Sequence, residues 1–139
     1  MDFGHWEYYE DIPSDCYGFI YIIQNNLTSK KYIGKKQTKK TIKRPPLKGK
    51  KNKRHIITES DWKIYTGSCN ELNDDIAEQG KENFSFKILR LCYNKWELAY
   101  YEAKLQFEEG VLLSDEYYNG IINVRVGGSE ILKESLKKI

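Results

Sequence analysis

The first clear feature of the chain is a pair of apolar segments separated by a polar turn. Residues 17–24 are rich in β-branched and aromatic side chains, which is typical of a strand. Asn25 and Asn26 give a turn signal, and residues 31–34 contain a second aromatic and β-branched pair. The pattern therefore predicts a β-hairpin in which residues 31–34 form the returning strand.

Helical and strand patterns alternate in the second half of the chain. Residues 70–79 are predicted to form a helix, and residues 83–92 alternate apolar and polar positions, which predicts a strand. Asn94 and Glu97 form a capping-box pattern that opens a second helix over residues 95–109. Residues 121–126 are predicted as a last strand or an extended piece.

The segment between these two halves is strongly basic and carries helix-breaking residues. Residues 36–57 contain Pro45, Pro46 and Gly49. Because these residues interrupt a helix, the segment is predicted to be mostly loop, with at most one short helix before Pro45.

The order of the predicted elements indicates an α+β fold with a small, mostly antiparallel sheet flanked by helices. We expect an acidic and aromatic leader at 1–16, which either packs over the domain or stays mobile. The domain itself is expected at 17–126 with a basic insertion at 35–57. A C-terminal tail at 127–139 is expected to form a short helix capped by Ser129.

Charge is distributed unevenly along the chain. The formal net charge is only +3, but residues 30–54 hold thirteen of the 23 lysines and arginines and no acidic residue. A concentrated positive field of this kind suits a polyanion. The alternative is a solvated, flexible loop or a tail that contacts nucleic acid without specificity.

We expect these cations to bind the phosphate groups of a polyanion. The predicted contacts are Lys35, Lys36, Lys39, Lys40, Lys43, Arg44, Lys48, Lys50, Lys51, Lys53 and Arg54.

The remaining features of the sequence indicate the cellular compartment. No run of about 18 apolar residues is present, so no membrane span is predicted. The N-terminus does not resemble a signal peptide, and the three cysteines show no pairing pattern. We therefore expect a protein of the reducing cytoplasm, or of the host-cell cytoplasm if the chain is encoded by a phage.

Tyr21 and Tyr32 are the first candidate catalytic residues. Either one alone is typical of a half-buried packing residue, but on adjacent strands of one hairpin both phenols can project from the same face. Lys35 and Lys36 follow directly, and cations near a phenol lower its pKa by favouring the phenolate. We therefore expect a tyrosine that takes a proton from water or positions water for attack.

Glu102 and Asn119 are the second and third candidates. Most helical glutamates are solvated, but Glu102 lies at the edge of an apolar stripe formed by Leu98, Tyr101 and Leu105. A carboxylate there needs a partner, and a hard divalent cation is one such partner. Asn119 precedes a glycine and is a turn residue by default.

Together these residues resemble a known family. The segment from Gly18 to Tyr21, with Tyr32 to Gly34, resembles the two-part signature of the GIY-YIG nucleases. The glutamate within Tyr-Glu-Ala-Lys and the later Tyr-Asn pair follow in the expected order. Small phage-encoded members that also carry Glu-Ser-Asp-Trp and Tyr-x-Gly-Ser are similar, and both of those motifs are present here.

The resemblance implies a metal-dependent DNA endonuclease that hydrolyses phosphodiester bonds. By this resemblance Glu102 would hold one Mg²⁺ or Mn²⁺ ion, and Tyr21, helped by Tyr32, would activate or orient the attacking water. Asn119 would support the site through hydrogen bonds, and a cation would contact the scissile phosphate.

This sequence departs from the family pattern at that cation. The family usually has an arginine about ten residues after the second tyrosine, where this chain has Ile42. Lys36 is the favoured replacement, followed by Arg54 and Arg44, and His55 is an alternative base. The first signature glycine is also replaced.

Two other classes of function stay open at this point. The chain can be a binding or inhibitory module that kept the fold and lost the chemistry, which the missing arginine favours. It can also be a structural interaction domain whose leader docks a partner or folds over the basic stretch.

Overall fold

The computed structural model describes residues 2–126 and 130–137, which form five strands and three α-helices, with two short 3₁₀ turns. The strands are β1 (Gly18–Asn25), β2 (Lys31–Gln37), β3 (Lys39–Arg44), β4 (Arg54–Glu59) and β5 (Phe84–Cys92). The helices are α1 (Asn70–Gln79), α2 (Lys95–Glu108) and α3 (Glu130–Lys137).

The central sheet is antiparallel and has the order β2-β1-β5. In its register Tyr21 lies opposite Gly34, and Ile23 lies opposite Tyr32. Because side chains alternate between the faces of a strand, both tyrosines project from the same face. The predicted hairpin and the predicted α+β class are confirmed.

Each face of this sheet is covered by a separate apolar layer. On one face Phe19, Tyr21 and Ile23 pack with Trp62 and Phe86. On the other face Ile20 and Ile33 pack against Leu98 and Tyr101 of α2. The strand β2 lies at the edge of the sheet, between these two layers.

The leader packs on the domain. Trp6 is buried against Phe19 and Tyr21, and its indole Nε1 donates a hydrogen bond to the carbonyl of Trp62 at 2.5 Å. Glu7 extends the sheet locally, since its N–H donates to the carbonyl of Phe86 at 2.8 Å. The leader therefore closes the apolar layer beneath the tyrosines.

Trp6→Ala is expected to lower the free energy of unfolding by about 3 kcal/mol, because it leaves a cavity among aromatic rings. Chemical denaturation followed by circular dichroism measures this loss. The matched control is Tyr9→Ala, since Tyr9 is 82% exposed and its loss should change stability little. Equal stability of the two variants would show that the leader does not hold the layer.

The basic segment forms a β-hairpin, so the prediction of a loop over residues 36–57 is wrong. Strands β3 and β4 pair from Lys39 opposite Glu59 to Arg44 opposite Arg54. Both strands contain Thr and Ile, which have high β propensity, between cationic or polar residues at their ends. Cross-strand bonds satisfy the backbone, and therefore this hairpin needs little apolar cover.

The ends of the other elements agree in part with the predictions. The helix over residues 70–79 and the strand ending at Cys92 are confirmed, and α2 begins after Asn94, whose side chain accepts a hydrogen bond from the N–H of Glu97 at 2.8 Å. Residues 121–126 form no strand within the described part of the chain. Helix α3 confirms the C-terminal helix, and the predicted cap Ser129 lies outside the described residues.

Within residues 2–126 and 130–137, no helix has the length and apolar character needed to span a membrane.

Candidate active site

The two signature tyrosines form one aromatic cluster beside the edge of the sheet. The ring centroids of Tyr21 and Tyr32 lie 6.2 Å apart, and Tyr65 lies 6.2 Å from Tyr21. Tyr21 is only 1% exposed, and among the hydrogen bonds of the described residues its hydroxyl takes part in none. The hydroxyl therefore has no protein hydrogen-bond partner within the described part of the chain.

Two glycines make room for the Tyr21 phenol. A Cβ atom at Gly34 would lie 2.6 Å from Tyr21 Cζ and would collide with its hydroxyl oxygen. A Cβ atom at Gly67 would lie 3.3 Å from that oxygen, and Gly67 has φ +85°, which disfavours other residues. Gly34, the glycine of the second signature segment, is thus favoured because a larger residue there would collide with Tyr21. Its sequence position alone did not reveal this contact.

The loop before α1 adds residues that the sequence analysis did not assign to the site. The Tyr32 hydroxyl lies 3.4 Å from Ser68 Oγ, at hydrogen-bonding distance. Tyr65 contacts the ring of Tyr21. These residues belong to the Tyr-x-Gly-Ser motif, which was the only sequence signal that could have pointed to them.

Burial raises the pKa of both phenols, so the predicted lowering by lysines is wrong. The pKa of Tyr21 lies well above 10.0, first because of burial and then because of the neighbouring Tyr32, Tyr65 and Glu102. Burial is also the main cause that raises the pKa of Tyr32. Lys35 and Lys36 do not offset this, since each is held by a carboxylate of its own. Both phenols are therefore neutral at pH 7.

The edge strand β2 is where the remaining candidates meet. An edge strand presents peptide groups that no neighbouring strand pairs, and here side chains bind them. Asn119 does so at Ile33: its Oδ1 accepts from the Ile33 N–H at 3.0 Å, and its Nδ2 donates to the Ile33 carbonyl at 2.8 Å. Gln106 of α2 donates to the same carbonyl at 2.9 Å.

Glu102 lies further along the same edge, beside Lys35. Its Oε1 lies 3.8 Å from Lys35 Nζ. The Glu102 side chain is only 12% exposed, and burial raises its pKa despite the opposing effect of Lys35. Helix α2 thus holds a largely buried carboxylate whose charge contributes to the raised pKa of both phenols.

This geometry fits one ion held by a single carboxylate. Within the described residues no group of three or more His, Cys, Asp or Glu side chains converges on a metal site. Mg²⁺ is commonly bound through one or two carboxylates together with water and substrate phosphate. Glu102, which has one weak ion pair and a carboxylate largely removed from water, is a suitable donor for such an ion.

The family comparison agrees with this geometry. A sequence model of the family described as "Putative endonuclease segE, GIY-YIG domain" matches residues 3–122 of the chain. The chain belongs to the GIY-YIG family. It is therefore a member of a nuclease family whose substrate is nucleic acid. Comparisons with curated proteins and with solved structures gave no match.

The departure from the GIY-YIG signature at Phe19 is explained by packing. Phe19 is fully buried between Trp6 and Trp62, where a glycine would leave the layer unfilled. Gly18 lies against α2, because a Cβ atom there would be 2.8 Å from Leu98 Cδ2. The substitution changes the core and leaves the phenols in place.

The structure distributes the predicted cations differently from expectation. Lys36 Nζ lies 2.7 Å from Asp61 and 4.0 Å from the centre of the Tyr65 ring. Lys35 is the cation that binds Glu102.

The hairpin residues predicted for the reaction lie at the turn end of the β3–β4 hairpin. Arg54 pairs with Arg44 five residues from the base of this hairpin, roughly 17 Å along a strand. Arg54 Nε donates to the carbonyl of Pro45 at 3.2 Å, and His55 pairs with Lys43 beside it. A catalytic role for Arg54, Arg44 or His55 stays a prediction.

Proposed function

We propose that the protein is a metal-dependent DNA endonuclease that hydrolyses phosphodiester bonds. The observation that carries this proposal is the largely buried Glu102 carboxylate beside the edge strand β2, which also carries Tyr32 and pairs with β1, the strand of Tyr21. The register of β1 and β2 supplies the phenols, and α2 supplies the carboxylate. Membership in the GIY-YIG family supports the nuclease chemistry.

Each of these residues has a role that its environment allows. The Tyr21 hydroxyl orients the attacking water through a hydrogen bond, because its raised pKa keeps it neutral. The Tyr32 hydroxyl, which lies 3.4 Å from Ser68 Oγ, helps to orient the same water molecule. Asn119 is a positioning residue, since it fixes the backbone of β2 at Ile33, between Tyr32 and Gly34.

Glu102 would hold one divalent cation, Mg²⁺ or Mn²⁺. When bound, such an ion stabilises negative charge on the phosphate and on the leaving oxygen. Lys35, 3.8 Å from Glu102, is the cation best placed to approach the scissile phosphate, in preference to Lys36. A lysine supplies a point charge there instead of the fork of an arginine.

The β3–β4 hairpin and its connecting turn would bind the phosphate backbone of DNA outside this site. Residues 45–53 join β3 to β4 and carry Lys48, Lys50, Lys51 and Lys53, which are all exposed. Phosphate contacts of this kind fix the position of a duplex without reading its sequence. Lys43, Arg44 and the other cations of β3 extend the same surface.

Replacing Lys48, Lys50, Lys51 and Lys53 with Gln is expected to weaken DNA binding and to flatten its dependence on salt by about one unit of slope for each lost phosphate contact. Fluorescence anisotropy of a labelled duplex over a range of NaCl concentrations measures the slope. The matched control replaces Lys81, Lys87, Lys104 and Lys133, four lysines outside the hairpin, with Gln. An equal change of slope in both variants would mean that the hairpin has no special contact with phosphate.

A plasmid-cleavage assay distinguishes the proposed endonuclease from a binding module without activity. Purified protein is expected to nick or linearise supercoiled plasmid in Mg²⁺ and to leave it intact in EDTA. Cleavage that persists in EDTA would refute the metal requirement. Binding without cleavage in Mg²⁺ and in Mn²⁺ would favour the inhibitory or binding module.

A further inference from the structure

A basic cavity of about 510 Å³ adjoins the proposed active site. It lies between β2, the first turns of α2, the base of β3 and the segment 121–126. Its cationic lining residues are Lys35, Lys36, Lys39, Lys40, Lys95 and Arg125. Two of these, Lys95 and Arg125, are remote in sequence from the basic segment and were not assigned by any pattern.

The charge balance of the cavity calls for an anion. Asp61 is the one acidic side chain of the lining, and Lys36 Nζ lies 2.7 Å from it. Among the described residues, Lys40, Lys95 and Arg125 have no carboxylate within salt-bridge distance. Cations concentrated in a concave site focus the field and favour a negatively charged ligand.

The lining of the cavity suits a sugar joined to phosphate. Leu98 and Ala99 of α2 supply apolar surface, and Tyr17 supplies an aromatic ring. The volume lies in the range of ordinary ligand cavities. Apolar surface together with several cations can accommodate a deoxyribose and its phosphate groups.

One residue connects the cavity to the site of chemistry. Lys35 lines the cavity, and its Nζ lies 3.8 Å from Glu102 Oε1. A DNA strand that passes Glu102 can therefore continue into the cavity without leaving the edge of β2.

We propose that this cavity binds the sugar-phosphate backbone of the DNA strand next to the cut, with Lys95 and Arg125 as its phosphate clamps. This rests on the proposed function, which places the reaction at Glu102. The guanidinium of Arg125 is suited to bidentate contact with a phosphate group. Arg125 thus supplies an arginine to the cavity from a segment remote in sequence from the basic hairpin.

The test measures binding of a fluorescein-labelled 20-base-pair duplex in EDTA, where no metal-dependent cleavage interferes. Lys95→Gln combined with Arg125→Gln is expected to weaken binding tenfold or more and to lower the salt slope by about two units. Lys87→Gln combined with Lys104→Gln is the matched control, because it removes the same charge from exposed sites outside the cavity. Since Lys95 and Arg125 are exposed, circular dichroism should show that all variants are folded.

The conservative variant Arg125→Lys distinguishes a fork from a point charge. It is expected to bind less tightly than wild type and more tightly than Arg125→Gln. Equal affinity of the cavity variant and the control variant would overturn the proposal. Loss of affinity in the cavity variant alone upholds it, even if the wild-type protein fails to cut plasmid, so failure of the nuclease function is recorded separately.

Discussion

Glu102→Gln is expected to lower the rate of DNA cleavage by about a thousandfold or more. The substitution keeps the size of the side chain and removes the charge that would hold the divalent cation. A thousandfold loss corresponds to about 4 kcal/mol of transition-state stabilisation, which is within the range that a catalytic metal ion supplies. Single-turnover cleavage of a labelled duplex in Mg²⁺ measures this rate.

Binding and folding of this variant should be preserved. DNA affinity is expected to stay equal or to rise, because a negative charge is removed from the path of a phosphate. Glu108→Gln is the matched control, since Glu108 lies on the same helix with a side chain 58% exposed. A Glu102→Gln protein that cuts within twofold of the control would exclude the carboxylate from the mechanism.

The stability of the same variant follows from the pKa shift. Burial raises the pKa of Glu102, so the folded state disfavours its ionised form. Removing the charge should therefore leave the melting temperature at pH 7 equal to that of wild type or higher. The difference should shrink as the pH falls towards the raised pKa, since Glu102 is then protonated and neutral like glutamine.

Tyr21→Phe is expected to lower the cleavage rate by about a hundredfold while the fold is unchanged. The ring keeps its contacts with Trp6, Tyr32 and Tyr65, and only the hydroxyl that orients water is lost. Losses of this size are typical when one positioned hydrogen-bonding group is removed. Single-turnover rates and melting temperatures measure both effects.

The environment of Tyr21 also predicts the form of the pH profile. Because its pKa lies well above 10.0, the rate should show no ionisation of this phenol in the neutral range. Tyr9→Phe is the control, since Tyr9 is 82% exposed and its change should not affect the rate. A wild-type rate in Tyr21→Phe would mean that the hydroxyl does not touch the reaction.

The positions of the two tyrosines and of Glu102 could be predicted because two strong local patterns define them. Alternation in β1 and β2 places the phenols on one face, and the helical period places Glu102 beside the apolar stripe. The sequence pattern did not predict the pairing of β3 with β4. This pairing depends on cross-strand hydrogen bonds, and neither strand has a regular apolar face that would indicate it. Pro45, Pro46 and Gly49 disfavour a helix in this segment, and in the structure they lie in the connection between β3 and β4.

Electrostatics were harder to predict than the fold, because they depend on which charges are already paired. Lys35 and Lys36 follow Tyr32 in sequence, but in the folded chain they form ion pairs with Glu102 and Asp61. Burial, which residue spacing does not reveal, then decides the pKa of both phenols. Arg125 was missed for a related reason: only the folded chain brings residue 125 to the same cavity as Lys35 and Lys40.

The central claim is that Tyr21 and Glu102 act together in one catalytic site, and a double-mutant cycle tests it most directly. Single-turnover cleavage is measured for wild type, Tyr21→Phe, Glu102→Gln and the double variant. Residues that act as a unit are strongly non-additive. The double variant is therefore expected to cut no more slowly than Glu102→Gln alone. Losses that multiply, so that the double variant is about a hundredfold slower again, would contradict a shared site.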